Sequence, residues 1–313
     1  MYKALKTALI VLAMVGAASG TAFALNGLVD TDHPDVVYIH SSIGSCTGKA
    51  RNRIVTTAGH CLFNHGALAK NVRVWALSPY RELPVQRGQW DVPFEFKRVE
   101  PPGTAAWEKA RKEKRAMTLE EWRKFALMNH VDSGAIILMR PIQNPRPWSF
   151  LFERPEFKDT ITAVKQLKKD EPVPAELFTQ EAVAFKAFLK DEAHRAAIVV
   201  GAGPRICDQD LVTKIKMNCV EERPPVRRRA DFKVLEDYVR ANEFLQGVGM
   251  QQVEKEPKRI QNGDSGSGAM IKDGDADILI GITSQSSKTT AYIAAVTHPA
   301  TVRFFLQMLA LAR

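Results

Sequence analysis

Two blocks of short strand-like runs constrain the fold of this chain more than any other feature. The runs are three to five residues long and rich in Val, Ile, Ala and Thr, and Gly, Pro, Asn and Ser separate them. They are Val36–Ile39, Arg53–Thr57, Val72–Trp75 and Ala135–Leu138 in the first block, and Ala197–Val200, Ala269–Ile271, Ile278–Ile282 and Ala291–Ile293 in the second. This spacing predicts antiparallel sheets that close into barrels. A length of 313 residues favours two such units, each with its own core.

Helical patterns interrupt the strand blocks. Thr118 followed by Glu121 is a capping-box pattern that predicts a helix through about Met128. A second amphipathic segment covers 179–194, and Pro299 is well placed to begin a helix at the carboxyl end.

The first 24 residues are typical of an export signal. Lys3 and Lys6 precede an apolar run over 8–15, and Ala22-Phe23-Ala24 offers small residues for cleavage. The apolar run is shorter than the roughly 20 residues that a spanning helix needs. We therefore expect a secreted or periplasmic protein that has no membrane partner once the signal is removed. In an oxidising compartment, the four cysteines favour two disulfides.

The charge balance selects no partner. Lys plus Arg number 44 against 35 Asp plus Glu, a formal charge of +9, and two of the lysines belong to the signal. A mild excess of this kind favours anionic surfaces without showing that one is bound. We expect no nucleic-acid partner, no cofactor and no metal, and a monomeric protein.

Three short segments carry the chemistry, and their order matters as much as their content. They are Thr56-Thr57-Ala58-Gly59-His60-Cys61, preceded by Cys46-Thr47-Gly48, then His130-Val131-Asp132-Ser133-Gly134, and finally Asn262-Gly263-Asp264-Ser265-Gly266. Alone, each has an ordinary explanation, such as a buried histidine, a metal ligand or a turn. Together they resemble the chymotrypsin-like (trypsin-like) serine proteases, in particular secreted bacterial ones, whose histidine, aspartate and serine follow this order.

The resemblance implies that Ser265 is a nucleophile, His60 its base and Asp132 the group that orients the imidazole. A serine hydroxyl needs such a base because it is a poor nucleophile until its proton is removed. Asp132 is followed by Gly134 where the family usually has alanine, and Asp91 and Asp159 are the alternatives. The resemblance also implies an oxyanion hole formed by the backbone N–H groups of Gly263 and Ser265.

The family carries a disulfide beside its histidine, which implies the pair Cys46–Cys61. Cys207 and Cys219 then remain for a second bridge, and a four-cysteine zinc site is the rival interpretation.

The family also pairs a new amino terminus with the aspartate before the serine. Signal cleavage would expose Leu25, and we expect its ammonium to pair with Asp264. The ordinary alternative is a loose terminus and another partner for Asp264.

The resemblance also implies which residues form the substrate pocket. Arg259 occupies the floor position, Ser286 and Ala291 occupy the walls, and Ser284 matches the residue that holds the substrate backbone. A guanidinium on the floor would favour acidic side chains or reject basic ones. The alternative is that Arg259 faces solvent and the alignment slips by a residue.

The resemblance thus predicts an all-β fold of two six-stranded antiparallel β-barrels with helical insertions and a C-terminal helix. The expected units are a signal at 1–24, a first barrel at 25–145 with an insert near 100–130, a helical insertion at 146–195 and a second barrel at 196–313. The predicted function is a secreted serine endopeptidase that acts on a peptide or protein substrate through an acyl-enzyme. The alternatives are a catalytically weak binding protein for anionic partners, with a basic run at 109–115, and an esterase using the same triad.

Overall fold

The computed structural model describes residues 28–142, 147–168, 171–203, 205–209, 216–221, 224–235, 248–252, 263–286 and 290–313. The expected signal, Leu25 and Arg259 lie outside these residues. None of the helices in the described part of the chain is both long and apolar enough to span a bilayer.

The amino-terminal half forms a seven-stranded antiparallel sheet in the order β8-β7-β2-β3-β4-β10-β9. Its strands are β2 (Val36–His40), β3 (Ser45–Arg51), β4 (Ile54–Thr57), β7 (Arg73–Leu77), β8 (Tyr80–Leu83), β9 (Val85–Asp91) and β10 (Gly134–Leu138). A short hairpin of β5 (Phe63–Asn64) and β6 (Ala67–Leu68) lies beside it. The strand count exceeds the predicted six because the chain turns back between β7 and β8. Between residues 28 and 142 no ladder joins β8 to β9, so this half-barrel is open.

The carboxyl-terminal half closes into a six-stranded antiparallel barrel. Its ring runs β15-β12-β17-β18-β19-β16 and returns to β15. The strands are β12 (Ala196–Gly201), β15 (Arg228–Leu235), β16 (Val248–Gln252), β17 (Gly268–Asp273), β18 (Ala276–Ser286) and β19 (Thr290–Ala295). Two shorter strands extend it, β1 (Leu28–Val29) along β15 and β11 (Trp148–Phe150) along β18, and a separate hairpin consists of β13 (Arg205–Gln209) and β14 (Lys216–Glu221).

Helices occupy the connections. The described helices are α1 (Phe94–Lys112), α2 (Leu119–His130), α3 (Lys158–Gln166), α4 (Ala175–Phe188) and α5 (Pro299–Leu311), with 3₁₀ turns at Gly59–Cys61, Leu151–Glu153, Pro155–Phe157 and Glu192–Arg195. The Thr118–Glu121 capping box begins α2 as predicted, and Pro299 begins the predicted C-terminal helix. The all-β double-barrel fold with helical insertions and a C-terminal helix is therefore confirmed.

Helix α1 was not predicted over its full length, because Pro101 and Pro102 lie inside it and proline normally breaks a helix. Buried Glu100 accepts hydrogen bonds from the backbone N–H groups of His65 and Gly66 at 3.0 and 3.1 Å. Tertiary contacts of this kind compensate for a locally unfavourable sequence.

The two halves share one connected core of buried apolar side chains. Strand β3 of the first half lies against the second half. The Trp148 indole, from β11, donates to the carbonyl of Ala50 in β3 at 2.9 Å. The Thr47 backbone N–H, also in β3, donates to the carbonyl of Ser265 at 2.9 Å. The chemistry-bearing segments therefore meet along β3, at the junction of the halves.

Candidate active site

His60 and Asp132 are brought into direct contact. His60 lies in the 3₁₀ turn after β4, and Asp132 lies between α2 and β10. Strands β4 and β10 pair so that Thr57 is opposite Gly134, which places the residues following β4 beside those preceding β10. His60 Nδ1 lies 2.7 Å from Asp132 Oδ2, and the His60 backbone N–H donates to Asp132 Oδ1 at 2.8 Å.

The carboxylate of Asp132 is buried and well supplied with hydrogen bonds. It is 1% exposed, and the Ser284 hydroxyl donates a short hydrogen bond to its Oδ2 atom. Together with the two bonds from His60, this hydroxyl fixes the position of the carboxylate. Asp132 can thus hold the imidazole in one orientation and stabilise its positive charge.

The pKa of His60 reflects two opposing effects. Desolvation of the ring lowers the pKa, but the charge of Asp132 and the hydrogen bond to it outweigh this and raise the pKa above its usual value. The side chain remains 36% exposed, so the imidazole face away from Asp132 can be reached by a substrate. A histidine with these properties can act as a general base.

The alternatives to Asp132 have other partners. The Asp91 carboxylate lies 2.6 Å from Lys97 Nζ and accepts from its own neighbour, the N–H of Val92. Asp159 is an exposed residue in the first turn of α3. The glycine that departs from the family pattern also has a local reason, because a Cβ atom at Gly134 would lie 2.9 Å from Leu62 Cδ1.

The segment 263–267 forms a tight turn against β3 and β4. Ser267 N–H donates to Asp264 O, and Gly266 N–H donates to Thr283 O, each at 2.9 Å. Gly266 has a φ angle of +89°, and a Cβ atom there would lie 2.2 Å from Thr57 Oγ1. Only glycine permits this close approach.

The Ser265 backbone lies beside the histidine turn. Its carbonyl oxygen lies 3.7 Å from Cys61 Sγ, next to His60 in the chain. Among the described residues, no hydrogen bond joins the Ser265 hydroxyl to the His60 imidazole. Such bonds are often long without a substrate and tighten when one binds.

The predicted oxyanion donors are available. Within the described part of the chain, the backbone N–H groups of Gly263 and Ser265 have no hydrogen-bond acceptor. Backbone N–H groups without an acceptor beside a serine can bind a carbonyl oxygen that becomes negatively charged, provided that they point to one position.

The Cys46–Cys61 disulfide is present, with an S–S distance of 2.05 Å. Both sulfurs lie near the His60 ring. Since they are bonded to each other, this group is not a metal site, and a four-cysteine zinc site is excluded. Cys207 and Cys219 are directly opposite in the β13–β14 register, which suits a second bridge, but their side chains lie outside the described residues.

The substrate-pocket and activation residues are described in part. Ser284 is buried with its hydroxyl on Asp132, and Ala291 is buried in β19, opposite the backbone of Ser286. Asp264 is fully buried and accepts from the Gly203 N–H at 3.2 Å. The pairing with Leu25 and the role of Arg259 stay predictions, because Leu25, Arg259 and the Ser286 side chain lie outside the described residues.

The remaining histidines are divided between buried and accessible positions. His33, His130 and His298 are buried, whereas His40, His65 and His194 are partly or fully exposed. The imidazole of His33 lies 2.7 Å from Asp30 Oδ1 and 3.5 Å from Asp277 Oδ2. The sequence pattern gave no sign of this buried group, since its partners are 3 and 244 residues away.

The strand order is that of a chymotrypsin-like double-barrel fold, in which His60 and Asp132 lie on one half and Ser265 on the other. No family model and no curated protein matches the sequence. Among solved structures, human heparin binding protein is similar at 12% identity, covering 92% of this chain and 97% of that chain with a TM-score of 0.47. A variant of that human protein is similar at 13% identity, with the same coverages and the same TM-score.

Proposed function

We propose that this chain is a secreted or periplasmic serine endopeptidase. The observation that carries the proposal is the bidentate contact between Asp132 and His60, through the ring at 2.7 Å and the backbone N–H at 2.8 Å. An arrangement that fixes both the position and the tautomer of an imidazole is what a serine nucleophile requires. The Cys46–Cys61 disulfide supports an oxidising compartment.

In this mechanism, the Ser265 hydroxyl attacks the carbonyl carbon of the scissile bond. His60 takes the hydroxyl proton at Nε2 while Asp132 stabilises the imidazolium through Nδ1. The oxyanion of the tetrahedral intermediate accepts hydrogen bonds from the N–H groups of Gly263 and Ser265. His60 then protonates the leaving amine, and water hydrolyses the acyl-enzyme by the reverse sequence of proton transfers.

The edge of β18 supports binding of an extended peptide. Strand β17 begins at Gly268, opposite Ile282, whereas β18 continues to Ser286. Within the described residues, 285–286 pair with β19 alone, which leaves the other edge without a described partner strand. A peptide that adds there would gain backbone hydrogen bonds irrespective of its sequence.

Hydrolysis of an unbiased peptide pool tests the proposal. We expect the wild-type chain to cut internal peptide bonds and Ser265→Ala to cut none. Ser42→Ala removes an exposed hydroxyl that accepts a hydrogen bond from the Lys70 backbone N–H, and it serves as a matched control with unchanged activity. A wild-type chain that cleaves activated esters but no peptides would favour the esterase alternative and contradict the proposal.

The same pool tests the Arg259 prediction. If its guanidinium forms the pocket floor, cleavage should follow acidic residues, and Arg259→Ala should abolish that preference. Efficient cleavage after Lys or Arg would contradict the prediction, because the pocket would then accept cations.

The binding-protein alternative receives less support from the surface. Its basic run at 109–115 includes Arg115, which pairs with Glu121 at 2.7 Å and more closely with Glu113. Part of the positive charge is therefore neutralised within the same insertion. A purely binding role also would not require the intact pairing of His60 with Asp132.

A further inference from the structure

Thr47 lies in β3 and contacts the turn that carries the oxyanion donors. The side chain is fully buried, and the Oγ1 atom donates to the carbonyl oxygen of Gly263 at 2.6 Å. We propose that Thr47 is a positioning residue that holds the oxyanion-binding turn in its active conformation. The inference rests on the proposed hydrolytic function.

The hydroxyl has a fixed direction. Oγ1 also accepts a hydrogen bond from the backbone N–H of Ala202 at 2.9 Å, at the end of β12. A threonine hydroxyl has one proton, and Ala202 N–H can only donate, so the proton must point to Gly263. The peptide between Gly263 and Asp264 is thus tied to a hydroxyl that cannot rotate without losing a buried bond.

Thr47 also holds the other end of the turn. Its backbone N–H donates to the carbonyl of Ser265 at 2.9 Å, and its own carbonyl accepts from the Thr57 hydroxyl at 2.8 Å. One residue therefore holds the carbonyls of Gly263 and Ser265, the two residues whose N–H groups are the proposed donors. The fixed carbonyls belong to the 263–264 and 265–266 peptides, which lie on either side of the peptide that carries the Ser265 N–H. With both neighbouring peptides fixed, the direction of the Ser265 donor is restricted, and the Gly263 donor is attached directly to the fixed 263–264 peptide.

The conformation of Gly263 makes this restraint necessary. Its φ angle is +91°, in a region where glycine moves freely. Rotation of the peptide that follows Gly263 would break the 2.6 Å bond to Thr47 and leave a buried carbonyl without a partner. The hydroxyl therefore penalises conformations in which the two donors diverge.

The same strand connects this turn to the base. Cys46, next to Thr47, is bonded to Cys61, which follows His60. Strand β3 thus holds the histidine turn by a covalent bond and the serine turn by hydrogen bonds. The sequence reveals nothing of this, because a threonine between a cysteine and a glycine fits any β-strand.

Kinetics of Thr47 variants test the inference on the full mature chain. Thr47→Val keeps the shape and removes the hydroxyl, Thr47→Ser keeps the hydroxyl, and Thr47→Ala leaves space for a water if the valine variant does not fold. Thr56→Val is the matched control, since Thr56 is an equally buried threonine on β4 whose hydroxyl donates to Lys49 O.

We expect kcat to fall about 10- to 100-fold in Thr47→Val and less in Thr47→Ala, with KM changed by less than about threefold, because donor positioning acts in the transition state. Thr47→Ser and Thr56→Val should stay within about threefold of wild type.

The second measurement uses an aldehyde of the best-cleaved peptide. Ser265 Oγ adds to its carbonyl carbon and the hydroxyl proton passes to His60, leaving an oxyanion. In the Thr47 variants, the affinity for the aldehyde should fall in parallel with kcat, whereas the affinity for the carboxylate product should not fall.

A folded Thr47→Val or Thr47→Ala variant with wild-type kcat and aldehyde affinity would overturn the role of Thr47 but leave the proposed function intact. Equal losses of kcat in Thr56→Val would also overturn it, because the effect would then reflect core packing. A wild-type chain that neither cuts peptides nor binds the aldehyde would overturn the proposed function and this inference together.

Discussion

Asp132 is the residue whose surroundings say most about the site. With 1% of its surface exposed, it accepts from the His60 ring, the His60 backbone N–H and the Ser284 hydroxyl. The sequence resemblance pointed to Ser284 as a residue that holds the substrate backbone, which stays a prediction, and the structure adds that its hydroxyl donates to Asp132. A short motif identifies residue types, but only the packed structure decides which acceptor a hydroxyl reaches.

Asp132→Asn tests the role of this carboxylate. We expect kcat to fall by about 10⁴, because an amide in this place favours the wrong imidazole tautomer. Asp91→Asn, which loses the ion pair with Lys97 and can keep an acceptor for the Val92 N–H, should retain activity within about twofold. Equal losses in both variants would show that the charge of the region, not the contact with His60, matters.

The pH dependence of kcat/KM tests the state of His60. The base must be neutral to accept a proton, and its pKa is raised above the usual value by the charge of Asp132 in spite of desolvation. The ordinary pKa of histidine is about 6.5. Activity should therefore rise with pH and reach half its maximum at a pH above that value. Full activity well below that pH would contradict the assignment of His60 as the base.

At the scale of elements, the ends of two helices enclose a group of buried titratable side chains. His130 ends α2 and His298 precedes α5, and burial lowers the pKa of each to about 3. The Glu181 carboxyl, on α4, accepts a short hydrogen bond from Thr297, and burial raises its pKa to about 7. Burial by the packed helices thus keeps the two histidines neutral and favours the protonated form of Glu181.

Stability should therefore depend on pH in a predictable way. Between about pH 6.5 and pH 3 the unfolded chain binds protons at both histidines while the folded chain does not, so each lowers stability by about 1.4 kcal/mol per pH unit of acidification. Glu181 opposes this between its ordinary pKa and about 7, since there the folded state binds the extra proton.

His298→Phe isolates one of these groups. The ring packs at 5.0 Å from Phe178, and its Nδ1 atom has no hydrogen-bond partner among the described residues. Urea unfolding between pH 4.5 and 6.5 should show a pH slope smaller by about 1.4 kcal/mol per unit than that of wild type. An unchanged slope would mean that His298 is protonated in the folded state.

The elements differ in how far the sequence predicts them. Helix α2 follows from local chemistry, because the Thr118 side chain and the Glu121 side chain each bond the other's backbone. Helix α1 does not, because Pro101 and Pro102 oppose it and contacts distant in sequence, such as those of Glu100, support it. The residues of the proposed triad could be located from their motifs, whereas Thr47 could not, since its proposed role depends on a turn 216 residues away.

At the scale of the whole molecule, the two halves depend on each other. Lys49 of β3 and Asp35 form a buried ion pair, and Lys49 Nζ lies 5.4 Å from the Trp148 ring centroid, where β11 joins the second barrel. The site is built at this junction, so either half alone would lack part of it. Proteolytic separation of the halves should therefore abolish activity even if one of them remains folded.

An extended amino terminus tests whether the Leu25 ammonium takes part in activation. If the Leu25 ammonium pairs with buried Asp264, one additional residue before Leu25 should lower activity sharply, because the charged end could no longer reach the carboxylate. The comparison is with a chain of native terminus, verified by amino-terminal sequencing. An unchanged rate would show that Asp264 relies on other partners.

Covalent labelling tests the central claim most directly. A peptidyl phosphonate should add to Ser265, and the intact mass of the protein should rise by one phosphonyl group in the wild-type chain and not in Ser265→Ala or His60→Ala. Peptide mapping should place the group on Ser265. Absence of labelling in the folded wild-type chain, or labelling that persists without His60, would contradict a serine nucleophile activated by His60 and Asp132.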